Sequence, residues 1–192
     1  QIQDITERKR AEAALQSLSL VDELTGLYNR RGFLAVTEQH LAAIRRSERV
    51  PVILYADLDG LKVINDSLGH REGDRALVKA AEIFKEVFRS SDIVARLGGD
   101  EFVVLAAISP EEDAESLTYR LKERFSASNV LRNRPYDLSI SVGLAHCDYE
   151  EGHSIEELMA HADRAMYEDK RRKRSSTVIS PAFSRPRIEA VA

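Results

Sequence analysis

The chain has little of what builds disulfide-stapled or membrane-embedded proteins. Its 192 residues include one cysteine, Cys147, and no tryptophan. A lone cysteine excludes an intramolecular disulfide framework and fits a reducing cytosol. No apolar run approaches the ~20 residues that span a bilayer, and no secretory signal is visible. We therefore predict a cytoplasmic segment that makes no membrane contact of its own.

The chain also lacks an excess of positive charge and a metal-ligand spacing of its histidines. The formal net charge is −4, which argues against a broad surface for nucleic acid or anionic membranes. The five histidines show no zinc-ligand spacing. Polymeric nucleic acid is therefore not an expected partner.

The composition is that of one folded domain with extensions. Hydrophobic residues make up 43% of the chain and charged residues 31%, and this length suits a single well-buried α/β unit. We place a linker helix at residues 1–20, the domain at 21–175 and a tail at 176–192. The chain begins with Gln1, which indicates a piece of a longer protein whose sensor or membrane portion would lie upstream.

The first segment has the pattern of a coiled-coil linker. Asp4 and Glu7 have capping-box spacing, and Ala11, Leu15 and Leu18 follow a narrow apolar stripe. This helix is the natural device for pairing two copies of the chain.

Hydrophobic patterning then predicts helix, strand, helix, hairpin, helix, strand and helix. The run 52–56 is continuously apolar, as expected for a strand buried on both faces. Asn29 is placed to cap the helix before it, and Ser154 with Glu157 forms a capping box for the last helix. The order matches an α/β fold of the α+β type, the ferredoxin-like βαββαβ plait, with helices covering one face of the sheet.

Acidic residues gather at two points of this plan. Gly98-Gly99 predicts a tight hairpin turn, and Asp100 and Glu101 follow it at once. Asp57 and Asp59 follow the apolar strand and would share one side of an extended backbone. Acids at strand ends are often only solvated. If the strand lies beside the hairpin, however, Asp57 and Asp100 would converge as hard oxygen ligands for Mg²⁺.

Basic and polar residues near these acids suit a nucleotide. Lys62 would begin a helix above the acidic cluster, where it could neutralise charge on a triphosphate. Lys170 and Arg174 share one face of the last helix, whereas we interpret the intervening residues 171–173 as a solvated helix end. Asn65 and Asp74 could read a guanine edge, but they could equally be turn and cap residues.

Three segments carry a resemblance to a known family. They are Ala95-Arg-Leu-Gly-Gly-Asp-Glu-Phe102, Asp57-Leu-Asp-Gly-Leu-Lys-Val-Ile-Asn-Asp-Ser-Leu-Gly-His-Arg-Glu-Gly-Asp74 and Asp22-Glu-Leu-Thr-Gly-Leu-Tyr-Asn-Arg-Arg31. Together they resemble the GGDEF family of diguanylate cyclases from about Leu20 to Arg174. The resemblance implies a palm-like fold related to class III nucleotide cyclases. It also implies condensation of two GTP into cyclic di-GMP and two pyrophosphates, by two chains acting as a homodimer.

The resemblance also implies roles for individual residues. Mg²⁺ or Mn²⁺, two ions per site, would be held by Asp57, the Leu58 carbonyl, Asp100 and Glu101, and Asp100 would also be the base for the 3′-hydroxyl. The residues expected to contact GTP are Lys62, Asn65, His70, Asp74, Gly98, Gly99, Lys170 and Arg174. Lys173 and Ser175 stand where the family usually has Gly and Asn.

Two further resemblances concern regulation. Arg89-Ser-Ser-Asp92 resembles the family's Arg-x-x-Asp inhibitory site for cyclic di-GMP, and Arg120 is a candidate further cation there; the alternative is that Arg89 and Asp92 only close a helix and open a strand. Residues 3–14 resemble the segment that leaves a PAS sensor domain, which implies an upstream sensor as a partner.

Two other functions compete with this interpretation. A catalytically silent member of the family would bind GTP or cyclic di-GMP and pass on a signal, although a retired site has no need of all the residues present. A P-loop hydrolase is excluded because no Gly-x-x-x-x-Gly-Lys-Ser/Thr segment exists.

Overall fold

The computed structural model describes residues 19–130, 134–147 and 152–177. The predicted linker helix, apart from its last two residues, and the predicted tail from residue 178 onward lie outside the described residues. The helices are α1 (Arg30–Arg45), α2 (Leu61–Leu68), α3 (His70–Val87), α4 (Glu115–Val130) and α5 (Ile155–Thr177). The strands are β1 (Val50–Leu58), β2 (Ile93–Gly98), β3 (Glu101–Ile108) and β4 (Ile140–His146).

The four strands form one antiparallel sheet in the order β2-β3-β1-β4. This is the strand order of the ferredoxin-like plait, so the βαββαβ prediction is confirmed. β1 lies between β3 and β4, and Asp57 near its end faces Glu101 on one neighbour and Ser141 on the other. The centre of the sheet therefore carries the first acidic segment to the hairpin.

Helices cover both faces of the sheet rather than the one face that was predicted. On the first face, Leu54 and Ala56 of β1 pack with Phe84 of α3 and Phe125 of α4. On the second face, residues of β1 in the alternate register, such as Ile53, pack with α1 and α5. β1 is apolar at every position from 52 to 56, so both of its faces need a cover. The predicted burial of this strand on both faces is confirmed, and the second helical layer supplies it.

The helix starts follow local side-chain chemistry. The Asn29 carboxamide oxygen accepts from the Gly32 N–H at 2.8 Å, as the predicted cap of α1. Ser154 and Glu157 form the predicted capping box of α5, with N–H···O distances of 2.8 and 3.2 Å. Gly69, at φ 88°, separates α2 from α3. None of the described helices is both long and apolar enough to cross a bilayer.

Candidate active site

The hairpin that opens the site turns one residue later than predicted. Gly98 still belongs to β2 and pairs with Glu101, so the two loop residues are Gly99 and Asp100. The shift arises from an irregularity in the ladder between Arg96 and Gly98. Gly98 and Gly99 have φ angles of 148° and 50°, which glycine adopts without steric cost. Asp100 consequently occupies the tip, and Glu101 is the first residue of β3.

The two acidic segments meet at this end of the sheet. Asp57 is opposite Glu101 in the β1–β3 ladder. The Leu58 N–H donates to the Asp100 carbonyl at 2.9 Å. The carboxylates of Asp57 and Asp100 are close enough to repel each other electrostatically.

Burial and crowding make the ionised forms of these acids costly. Burial raises the pKa of Asp57, a hydrogen bond from Lys170 opposes that rise, and the negative charge of Asp100 adds to it. Burial also raises the pKa of Glu101, as do the charges of Asp163 and Asp100. Since a cation stabilises ionised carboxylates, positive charge at this point would relieve the cost.

Lys170 supplies one such charge. Its ammonium lies 2.6 Å from Asp57 Oδ1, with the two side chains 22% and 10% exposed. The family resemblance implied that Lys170 would contact phosphate, whereas here it contacts the Asp57 carboxylate. The contact is within reach because α5 lies directly on β4: a Cβ on Gly143 would come within 2.1 Å of the Ala162 carbonyl oxygen and the Met166 nitrogen. Glycine is therefore needed at this crossing.

Asp59 belongs to a separate network. Lys173 donates to Asp59 Oδ2 at 2.8 Å, and the hydroxyls of Ser139 and Ser141 donate at 2.6 and 2.7 Å. Burial raises the pKa of Asp59, but these hydrogen bonds outweigh it and leave the pKa below its ordinary value. The interpretation of Lys173 as part of a solvated helix end is therefore wrong.

The rest of that helix end is more exposed. Arg172, 78% exposed at its side chain, contacts Asp169 at 3.5 Å. Arg171 and Arg174 are exposed. Arg174 is thus positioned one residue beyond the lysine that anchors the helix.

The candidate base-reading residues lie on α2 and α3. Asn65 is inside α2, and Asp74 is in the early part of α3, so the alternative of turn and cap residues is wrong. The two helices touch where a Cβ on Gly73 would come within 1.9 Å of Asn65 Oδ1. This contact brings Asn65 beside the turn that carries Asp74. Lys62, His70 and Asp74 are exposed on the same pair of helices.

The candidate inhibitory residues come together near the end of α3. Arg89 and Asp92 exchange two hydrogen bonds of 2.9 Å in the loop before β2. Arg120 reaches this loop from α4 and donates to the Val87 carbonyl at 2.7 Å. All three residues line one cleft, and Arg89 and Asp92 also border a cavity of about 530 Å³.

One brace of the hairpin was not anticipated. The Arg96 guanidinium lies 3.0 Å from Asp22 Oδ2 and also donates to the Gly99 carbonyl at 2.8 Å. Asp22 further accepts from the Thr25 N–H and hydroxyl, at 2.9 and 2.6 Å. The Asp22-x-x-Thr25 spacing was the available signal, since Asp side chains commonly accept from the backbone nearby. This brace ties Gly99 of the loop to Asp22 near the start of the domain.

The acidic end fits a divalent cation by its chemistry. Among residues 19–130, 134–147 and 152–177, no three His, Cys, Asp or Glu side chains form a group able to hold a metal ion. Asp57 and Asp100 nevertheless offer carboxylate oxygens, the ligand type that Mg²⁺ prefers, while water and phosphate usually complete its shell. Their mutual repulsion is the feature that a cation would relieve.

Known proteins are similar to this chain in both sequence and fold. A cyclic di-GMP phosphodiesterase, NbdA, of Pseudomonas aeruginosa is 38% identical over 160 residues, 83% of this chain and 20% of that protein. The diguanylate cyclase DgcM of Escherichia coli K12 is 38% identical over 173 residues, 88% of this chain and 40% of that protein.

The fold comparison agrees with the sequence comparison. A solved microbial GGDEF domain, whose structure concerns its interaction with bis-(3,5)-cyclic di-GMP, aligns with a TM-score of 0.67 and 33% identity, covering 80% of this chain and 94% of that one. By contrast, the chain spans less than half the length of the two curated relatives, NbdA and DgcM. The family model described as "Diguanylate cyclase, GGDEF domain" matches residues 19–176, and the chain belongs to that family.

Proposed function

We propose that the chain condenses two molecules of GTP into cyclic di-GMP and two pyrophosphates. The meeting of Asp57, Asp100 and Glu101 at one end of the sheet, with Lys170 on Asp57, is the observation that carries the proposal. DgcM, named a diguanylate cyclase, supports it. The phosphodiesterase name of NbdA belongs to a protein of which this chain covers only 20%.

Divalent ions are part of the proposal. Asp57, the Leu58 carbonyl, Asp100 and Glu101 would hold Mg²⁺ or Mn²⁺, with two ions per site. When bound, such ions favour ionisation of a hydroxyl and stabilise a pyrophosphate leaving group.

The chain's own residues then divide the remaining tasks. Asp100, at the half-buried tip of the hairpin, would take the proton of the GTP 3′-hydroxyl. Gly98 and Gly99 carry no side chains between the backbone and a substrate lying over the turn. Lys62 would stabilise the charge that develops in the transition state, and Lys170 and Arg174 would contact the terminal phosphates.

Guanine would be read by the paired helices. Asn65 and Asp74 would bind its edge, with His70 nearby. A carboxylate accepts from guanine N1–H and the 2-amino group, which adenine does not offer side by side. We therefore expect GTP to be used and ATP to be refused.

Two chains would be needed for one product. One GGDEF-type site would hold one GTP, so two sites must face each other before each 3′-hydroxyl meets the other α-phosphate. The predicted linker helix would promote pairing, and an upstream sensor would control it.

Specific activity should rise with protein concentration and fall when Leu15 and Leu18 are made polar. A constant rate in a monomeric sample would contradict this.

Product would bind at Arg89, Asp92 and Arg120. An arginine fork suits phosphate or the acceptor edge of guanine, and the three residues share one cleft. In calorimetric titration with cyclic di-GMP, wild type and Asp100→Asn should bind tightly and Arg89→Ala weakly. Equal binding by Arg89→Ala would remove this part of the proposal.

The proposal as a whole is tested by product identification. The purified chain is incubated with Mg²⁺ and either GTP or ATP, and the products are identified by mass spectrometry. Cyclic di-GMP from GTP alone is the expected result. GTP binding without turnover would instead indicate a silent binding module.

A further inference from the structure

Lys170 forms a salt bridge with Asp57, an acid that is proposed to hold a metal ion. Its ammonium is 2.6 Å from Asp57 Oδ1, and both side chains are mostly buried. The contact joins residues 113 positions apart in the sequence, so it depends on how α5 packs on the sheet. The fold itself thus places a lysine ammonium against Asp57.

The helix that carries Lys170 is held independently of Asp57. Lys173 anchors it to Asp59 at 2.8 Å. Asp169 anchors it to Lys122 of α4 at 2.7 Å and accepts from the Val142 N–H at 3.0 Å. With α5 fixed on both sides, a change at Asp57 must be met by the flexible Lys170 side chain rather than by the helix.

A metal ion and an ammonium on one carboxylate repel each other. The Lys170–Asp57 pair is shielded from water. Coulomb interactions are screened less in such surroundings than in water, so the repulsion is strong at this site. A bound triphosphate changes the balance, since it offers new acceptors to the ammonium and negative charge to the metal ion. Nucleotide therefore removes the conflict that the lysine creates.

We infer that Lys170 is an internal cation that weakens divalent-ion binding at Asp57 in the absence of nucleotide and so makes metal and nucleotide bind cooperatively. The inference rests on the proposed function, because it takes GTP as the nucleotide and Asp57 as a metal ligand. It adds a coupling role to Lys170 beyond contact with phosphate.

The test measures Mn²⁺ binding directly. The 192-residue chain is titrated with Mn²⁺, and free Mn²⁺ is quantified by electron paramagnetic resonance with and without an α,β-methylene analogue of GTP. Lys170→Met should bind Mn²⁺ at least about fivefold more tightly than wild type without nucleotide, the lower end of typical coupling between sites. The tightening of Mn²⁺ binding by the analogue should be correspondingly smaller in the variant.

Lys173→Met is the matched control. It removes the same charge from the same helix, but from Asp59 rather than Asp57. Its nucleotide-free Mn²⁺ affinity should stay within about twofold of wild type. Lys170→Gln serves as a second variant, and circular dichroism verifies that each variant is folded.

The outcomes separate this inference from the proposed function. Unchanged or weaker nucleotide-free Mn²⁺ binding in folded Lys170→Met and Lys170→Gln overturns the inference, as does equal tightening in Lys173→Met. A wild-type chain that binds no GTP analogue and forms no cyclic di-GMP overturns the proposed function. The nucleotide-free titration remains a test of Lys170 in either case.

Discussion

Asp57 and Asp59 lie two residues apart at the end of β1, and each contacts a lysine of α5 at a similar distance, 2.6 and 2.8 Å. Their surroundings differ. Asp59 also accepts from two serine hydroxyls, and its pKa is lowered despite burial. Burial and the negative charges of Asp100 and Asp59 keep the pKa of Asp57 raised despite the lysine.

Asp59 is therefore an acid that stabilises the fold, whereas Asp57 is an acid whose negative charge the fold does not fully compensate. Asp59 has enough donors within the fold to be stable as a carboxylate. Asp57 lacks enough donors, because one ammonium faces several negatively charged groups. A buried acid that the fold leaves under-compensated is a candidate for ligand binding, since pKa values raised by burial and by like charges cluster at functional sites.

The largest expected effect comes from the acid at the hairpin tip. Asp100→Asn keeps the shape of the side chain but removes a negative ligand and the candidate base. Turnover of GTP to cyclic di-GMP should fall at least about 100-fold, by analogy with general-base and charge-stabilising groups. Product is measured by mass spectrometry at saturating GTP.

Asp137→Asn is the control for that substitution. Asp137 is exposed and lies outside the site, so the same chemical change there should leave the rate near wild type. A near-normal rate for Asp100→Asn would contradict the assignment of Asp100 as the base.

A smaller effect is expected on stability when Asp59 is neutralised. Asp59→Asn leaves the Lys173 ammonium with a neutral partner and should lower the free energy of unfolding by about 1–3 kcal/mol at pH 7. Because the folded-state pKa of Asp59 is lowered, its stabilisation is full above the unfolded value and is lost as pH falls through the folded value. The gap between wild type and variant should therefore close below about pH 4. Urea denaturation at several pH values measures it; a gap that is constant with pH would contradict the ion-pair account.

The smallest effect is expected for an exposed ion pair. Arg75 Nη1 lies 2.9 Å from Glu72 Oε2, close to the Lys173–Asp59 distance, but the arginine is 70% exposed. Arg75→Ala should change the free energy of unfolding by no more than about 0.5 kcal/mol, since water screens such pairs. A loss as large as that of Asp59→Asn would mean that burial does not decide the value of these pairs.

Much of this architecture could be read from local sequence. The apolar run 52–56 and the caps at Asn29 and Ser154 follow from patterns within a few residues, and these predictions are confirmed. The predicted order of elements also holds, except that two helices, α2 and α3, stand between β1 and the hairpin where one was predicted. These features depend on backbone preference and periodicity, which neighbouring residues determine. The meeting of Asp57 with the hairpin also followed, once the strand was placed beside it.

The features that were missed depend on contacts across the fold. The turn was predicted one residue early because the irregularity between Arg96 and Gly98 belongs to the pairing of two strands. Lys173 looked solvated because its partners are distant in the sequence: Asp59 directly follows β1, and Ser141 is on β4. The second helical layer was missed because periodicity gives a helix an apolar face without saying which side of the sheet receives it.

The most direct test of the comparison sets Asp57→Asn beside Asp59→Asn in two assays. GTP turnover to cyclic di-GMP and urea denaturation are measured on both variants at pH 7. We expect Asp57→Asn to lose at least about 100-fold in turnover while its stability stays within about 1 kcal/mol of wild type, because the lost lysine contact is offset by relief of repulsion. Asp59→Asn should show the reverse, with turnover within about tenfold of wild type and a stability loss of about 1–3 kcal/mol. Equal losses of turnover and stability in the two variants would contradict the distinction between them.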